Sequence, residues 1–114
     1  MASDDHYLTC LNQSMGHILE TVKHGLTSLM DSVTVRDATL WNVHLISYGA
    51  RHLSEERKAA HPEIDWDALG QLSGRLIGRD PWSVELNNVA AFVENDLPAL
   101  RERLQRLLAA RWSK

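Results

Sequence analysis

Trp41, His44 and Tyr48 are the side chains of this sequence whose types and spacing best suit chemistry on a ligand. Their i, i+3 and i+7 positions lie on one side of a helix. An imidazole can act as a general base near neutral pH, and aromatic rings beside it suit a flat or anionic ligand. The same stripe fits a repacked protein interface equally well.

A pocket is predicted where this stripe meets Trp82, which lies in the loop over residues 78–82. Aromatic rings around a polar tip have the composition of a small-molecule site. The alternative is that Trp41 fills core volume left free by the small Ala90. The predicted lining comprises Trp41, Tyr48, Ser73, Asp80 and Trp82, with His44 as the catalytic base.

Metal binding and serine chemistry have less support in the sequence. His17 and His24 lie seven residues apart, but zinc needs three or four converging ligands and no such set accompanies them. Ser47 lies three residues after His44, yet a nucleophilic serine also needs an orienting group and an oxyanion donor. We therefore expect neither a metal nor a cofactor.

Two patterns bear on nucleic acid. Gly70, Gly74 and Gly78 recur every four residues, which suits close helix packing better than a phosphate cradle. Trp41 and Trp82 are tryptophans that the predicted core does not account for, so they suit a stacking platform for single-stranded RNA.

Helices must position these side chains, because no stretch alternates apolar and polar residues over the length of a strand. Apolar residues three or four apart predict a first helix from Ser3 or Asp4 to Val22. A capping box of Thr34 and Asp37 opens a second long helix. Shorter helices are predicted over residues 55–60, 65–77, 83–93 and 96–108, and Ser54, Asp65 and Ser83 are the residues expected to begin the first three. The expected fold is all-α, an antiparallel bundle of four or five helices.

Composition limits the class of protein. With 114 residues, 44% of them hydrophobic and 24% charged, the chain has the size and composition of one globular domain, 1–114. A single cysteine excludes an internal disulfide, and no apolar run approaches the length of a membrane helix. We expect a cytoplasmic protein without a membrane segment. Residues 97–114 carry a charge of +4 and the rest of the chain −7, so the last helix is either a phosphate-facing stripe or a solvated face.

Four segments together resemble a known family. They are the opening Asp4-Asp5-x-Tyr7-Leu8, residues 37–43 (DATLWNV), residues 59–66 (AAHPEIDW) and residues 93–100 (VENDLPAL). In this order and spacing they resemble the HepT-like family of HEPN-domain proteins across essentially the whole chain. The resemblance implies a small helical bundle that forms a homodimer. Many such proteins are ribonuclease toxins paired with a minimal nucleotidyltransferase antitoxin.

The catalytic motif of that family is missing. It consists of an Arg, four to six residues and a His, commonly with a Tyr two residues later. The Arg would hold the scissile phosphate while the His moves the proton of the 2′-hydroxyl. Alignment places Ser73, Gly78 and Asp80 at these positions, and the last histidine of the chain is His61. We therefore expect no ribonuclease activity by the family mechanism.

Three functional interpretations follow. In the first, the chain is a non-catalytic toxin–antitoxin-type homodimer that acts through a partner protein or RNA. In the second, substitutions around the ancestral dimer cleft, including Cys10 and Gln13, form a new active site with His44 as base. In the third, Arg75 or Arg79 binds phosphate for a residual ribonuclease with a relocated histidine.

Overall fold

A computed structural model describes residues 3–112, in which helices are joined by short loops and no strand occurs. The prediction of an all-α chain is confirmed. In chain order the helices are α1 (Asp4–Thr21), α2 (Ser28–Asp31), α3 (Val33–His52), α4 (Glu55–Ala60), α5 (Trp66–Gly70), α6 (Leu72–Leu76), α7 (Leu86–Asn95) and α8 (Leu97–Trp112). A 3-10 turn, Pro81–Ser83, lies between α6 and α7.

Side-chain oxygens cap the N-termini of α1 and α5 at the residues where the sequence predicts these helices to begin. Ser3 accepts a hydrogen bond from the backbone N–H of His6 (3.2 Å), and Asp65 accepts one from Ala68 (3.0 Å). Helix α3 begins earlier than expected, because Ser32 caps it by accepting the N–H of Val35 (3.2 Å). The predicted capping box at Thr34 is therefore wrong.

The start of α7 also differs from the expectation. Ser83 does not cap this helix, because its hydroxyl donates to Asp80 Oδ2 (2.8 Å) within the preceding 3-10 turn. Helix α7 begins at Leu86, after Glu85, without a side-chain cap. The Ser83 hydroxyl therefore stabilises the turn between α6 and α7 and not the start of α7.

Helix α3 lies at the centre of the bundle. It packs against α1, α2, α5 and α6, while α8 packs against α1 and α7. Helices α1 and α3 run antiparallel, since Asp4 at the start of α1 binds Ser54 just beyond the end of α3. The core side chains that are at most 1% exposed include Leu8, Leu11, Met15, Ile18, Val43, Ile46, Ala50 and Leu104.

One helix predicted over residues 65–77 is two helices, α5 and α6, and a serine of α3 explains the break. The Ser47 hydroxyl donates to the carbonyl of Leu69 (3.0 Å) and accepts the N–H of Ser73 (2.7 Å). It thereby replaces the bond that a continuous helix would make between these two backbone groups. Arg51 Nη1 donates to the carbonyl of Gly70 (2.8 Å), so α3 holds the break at two points.

No helix within residues 3–112 combines the length and apolar character needed to cross a membrane.

Candidate functional site

The aromatic stripe of α3 lies on the surface. Trp41 is 61% exposed and Tyr48 45% exposed, and His44 between them is half-buried. The Trp41 and His44 rings stack with centroids 5.5 Å apart and an interplanar angle of 29°. Neither aromatic side chain fills the core, so the explanation that Trp41 occupies volume beside Ala90 is wrong.

A second group of rings joins α3 to α1. Tyr48 stacks on His52 with centroids 4.0 Å apart, and the Tyr7 ring of α1 lies 5.6 Å from His52 and 6.4 Å from Tyr48. His52 Nδ1 lies 2.8 Å from the carbonyl of Tyr48. Because a carbonyl only accepts, Nδ1 carries a proton in this contact.

Cys10 continues this surface along α1. Its Sγ lies 3.6 Å from Nε2 of His6, one helical turn earlier, and Gln13 is exposed one turn later. Helix α8 covers the opposite flank of α1, where Arg101 Nε donates to Asn12 Oδ1 (3.4 Å). Cys10 follows Tyr7 by three residues, so it lies beside the tyrosine whose ring contacts α3. We call the surface formed by Tyr7, Cys10, Gln13, Trp41, His44, Tyr48 and His52 the uncharged face.

The uncharged face lacks the charges that mark a solvated surface. Residues 6–19 of α1 and 38–50 of α3 contain no Asp, Glu, Lys or Arg, although such residues make up 24% of the chain. Interfaces between proteins are depleted of charge at their centre and enriched in aromatic residues. Two long charge-free segments that carry exposed rings side by side therefore have the chemistry of an interface.

Ser73, Gly78 and Asp80, the three positions that the resemblance aligns with catalytic residues, stabilise the local backbone. Ser73 gives its N–H to Ser47 Oγ, as described above. Gly78 follows α6 with φ +74°, a conformation that side chains rarely adopt, and its N–H donates to the carbonyl of Ser73 (3.2 Å). Asp80 caps the 3-10 turn by accepting the N–H of Trp82 (3.0 Å) and the hydroxyl of Ser83.

Trp82 is presented on that turn with 95% of its surface exposed. None of the ring contacts found among residues 3–112 joins it to Trp41, His44 or Tyr48. Four cavities found among the described residues are also lined by side chains other than these four. The pocket around these four side chains stays a prediction.

Arg75 and Arg79 occupy different surroundings. Arg75 lies on α6, beside a groove that α6 forms with α7 and α8, and Arg79 is exposed in the loop after α6. Neither forms an ion pair with a carboxylate of the described residues. Both guanidinium groups are available to an anion.

The remaining candidates do not form reactive groups. Among residues 3–112, no cluster of three or more His, Cys, Asp or Glu side chains is placed to hold a metal ion. His17 and His24 are exposed on separate turns at the end of the α1 segment. Ser47 directs its hydroxyl to Leu69 and Ser73 rather than to His44, so the serine–histidine pair is absent.

Sequence spacing identifies only part of this site. His52 follows Tyr48 by four residues and belongs to the same stripe, so the spacing could have indicated it. Tyr7 enters from another helix, and Ser47 lies 26 residues before the amide that it binds. No local pattern points to either contact.

Comparison with protein-family models finds no match, and neither the curated proteins nor the solved structures contain a significant match to this chain.

Proposed function

We propose that the chain is a HEPN-like domain of the HepT-like kind that has lost ribonuclease chemistry and acts as a homodimer by binding a partner protein. The proposed compartment is the cytoplasm. The resemblance of four sequence segments, in order along the chain, supports the family. The all-helical bundle with long antiparallel α1 and α3 agrees with it.

The uncharged face carries the proposal. Trp41 and Tyr48 expose large rings on a segment without a formal charge, next to a charge-free segment of α1. Buried aromatic anchors contribute most of the affinity in many protein interfaces. A second copy of the chain would bury this face without desolvating a single Lys, Arg, Asp or Glu side chain from either segment.

The residues at the motif positions support binding rather than catalysis. Ser73 and Asp80 make backbone hydrogen bonds, and Gly78 supplies a backbone conformation that a histidine would adopt only with strain. A ribonuclease of the family kind needs a guanidinium and an imidazole at these places. The turn instead exposes Trp82 to solvent.

The proposed partner is a minimal nucleotidyltransferase of the kind that accompanies HepT-like proteins. Its gene would lie beside the gene for this chain, and the two proteins would co-purify after co-expression. Because the uncharged face is assigned to the homodimer, co-purification that fails in Trp82→Ala but persists in Tyr48→Ala would assign the partner contact to the exposed turn between α6 and α7. A neighbouring nucleotidyltransferase that does not bind the chain would remove this part of the proposal.

The loss of chemistry is tested by incubating the purified protein with total RNA and following the fragments on a gel. We expect the RNA to remain intact with and without a chelator. Cleavage by a preparation free of contaminating nuclease would contradict the proposal. Its disappearance in Arg75→Ala or Arg79→Ala would then favour a residual ribonuclease that uses these arginines to hold phosphate.

A further inference from the structure

A groove lies on the part of the molecule that the proposed function does not use. Helices α5 and α6 form one wall, and the end of α7 with the start of α8 forms the other. The groove has a volume of about 310 Å³, the lower end of the range for small-molecule sites. A second cavity of about 280 Å³ shares Arg75, Phe92, Asn95 and Asp96 with it, so the two are adjacent.

The floor of the groove is apolar. Leu69, Leu72 and Phe92 line it, and each is less than 5% exposed. Leu100 of α8 completes this surface. A ligand in the groove would therefore place an apolar body against aliphatic and aromatic carbon, which is favourable because it removes apolar surface from water.

The charged side chains on the rim of the groove differ in the contacts that stabilise them. Asp65 caps α5 by accepting the N–H of Ala68 (3.0 Å), and Asp96 directly precedes α8, where the helix dipole favours a negative charge. The side chains of Arg75 and Arg103 have no hydrogen bond or ion pair with any described residue. The rim is therefore neutral in sum, with its carboxylates at the starts of α5 and α8 and its two guanidinium groups without a stabilising contact.

We propose that this groove binds a small organic anion, in which a carboxylate or phosphate group is held by Arg75 and Arg103 while an apolar body packs on Leu72 and Phe92. Guanidinium groups bind both kinds of anion through paired N–H donors. The site does not depend on the homodimer, since its residues lie on α5 to α8.

A set of four probes separates the contributions of charge and apolar surface. Octanoate and phenyl phosphate combine an anion with an apolar body, octylammonium carries the opposite charge, and inorganic phosphate lacks the body. We expect both organic anions to shift the backbone amide signals of Phe92, Ala99 and Leu100 in ¹⁵N NMR titrations. Their affinities should exceed that of octylammonium by at least about tenfold, and inorganic phosphate should bind more weakly than either.

The relative affinity of the two organic anions indicates whether the site prefers carboxylate or phosphate. Equal or tighter binding of octylammonium, or the absence of shifts at these amides with both organic anions, would overturn the proposal.

Variants of the two arginines test the assignment of the anion site. Arg75→Gln and Arg103→Gln should each weaken octanoate or phenyl phosphate about tenfold and leave octylammonium no weaker. Arg106→Gln is the matched control, because Arg106 lies on the same helix but binds Glu102. Circular dichroism melts verify that each variant is folded. An equal loss of affinity in the control would mean a general effect of surface charge and would overturn the assignment.

Discussion

The surface formed by α1 and α3 differs in chemical character from the surface formed by α5, α6 and α8. Helices α1 and α3 are long, and their exposed rings lie on segments without formal charge. Helix α8 is nearly as long as α1, but it carries exposed Glu102, Arg103 and Arg106 on its outer side. Helices α5 and α6 are short and interrupted, with a charged groove beside them.

The number of charged side chains distinguishes the α8 side, which suits contact with water, from the uncharged face, which suits contact with a protein. Charged side chains keep an exposed helix solvated, as on α8. A helix that has aromatic rings and no charges in the same situation exposes apolar surface, which is unfavourable unless another protein covers it. The uncharged face and the α8 side should therefore respond differently to an added charge.

The largest expected effect comes from Trp41→Glu. A carboxylate on the uncharged face should weaken the proposed homodimer by about 2 to 4 kcal/mol, the range of an interface anchor. Light scattering over a dilution series measures the change. Trp82→Glu is the control, since it introduces the same charge in place of a more exposed tryptophan outside this face. An equal loss of association in both variants would contradict the distinction between the two surfaces.

The contact that joins α3 to α5 and α6 is tested by Ser47→Ala. Removing the buried hydroxyl leaves the Ser73 N–H without its partner and should lower the free energy of unfolding by about 1 to 3 kcal/mol. Denaturant titration measures the difference. Thr39→Val is the matched change, because this equally buried hydroxyl binds only the Val35 carbonyl of its own helix. We expect the smaller loss there, and the reverse order would show that the serine does not hold the break.

The end of α1 nearest the uncharged face should make stability depend on pH. Hydrogen bonds from the Ser54 hydroxyl (2.6 Å) and N–H (2.9 Å) hold the pKa of Asp4 below its ordinary value of 3.8. The folded protein thus favours the carboxylate, so this stabilisation is complete above pH 3.8 and is lost as the pH falls through the lower folded value.

Asp4→Asn should be less stable than the wild type at neutral pH, and the difference should narrow on acidification. Thermal melts between about pH 6 and pH 2 follow it. Ser54→Ala should flatten the profile only in part, because the backbone N–H at position 54 still donates to the Asp4 carboxylate. A constant difference between Asp4→Asn and the wild type across this range would show that the hydrogen bonds do not perturb the carboxyl.

The smallest effect is expected in α6. A Cβ added at Gly74 meets no atom within 4 Å, so Gly74→Ala should raise the free energy of unfolding by about 0.5 to 1 kcal/mol. Gly78→Ala should lower it by about 1 kcal/mol, because φ there is +74°. Denaturant titrations of both variants measure the contrast. Stabilisation by Gly78→Ala would mean that the turn after α6 relaxes easily.

The sequence predicts what local patterns determine. Ser3, Ser54 and Asp65 cap helices as expected, and Trp66 is buried, with its indole N–H donating to the His61 carbonyl (3.0 Å). The break between α5 and α6 was not predictable, because the hydroxyl that causes it belongs to a distant part of the chain.

The regular spacing of the glycines is similarly misleading. A Cβ at Gly70 would lie 3.1 Å from Arg51 Cγ, whereas Gly74 faces open space and Gly78 completes a turn. Three residues with one spacing thus have three different roles, and close packing applies only to the first. Spacing likewise places Trp41 and Tyr48 on one side of α3, but only tertiary packing determines whether that side is buried.

The reactivity of Cys10 tests the central claim most directly, because the only cysteine of the chain lies on the uncharged face. Thiol labelling is followed at protein concentrations below and above the association that sedimentation detects, with Trp41→Glu as the monomeric reference. We expect the wild type to sediment at twice the chain mass of 12.9 kDa and to label more slowly as it associates. A monomer at all concentrations, or a dimer in which Cys10 reacts as fast as in Trp41→Glu, would contradict the account.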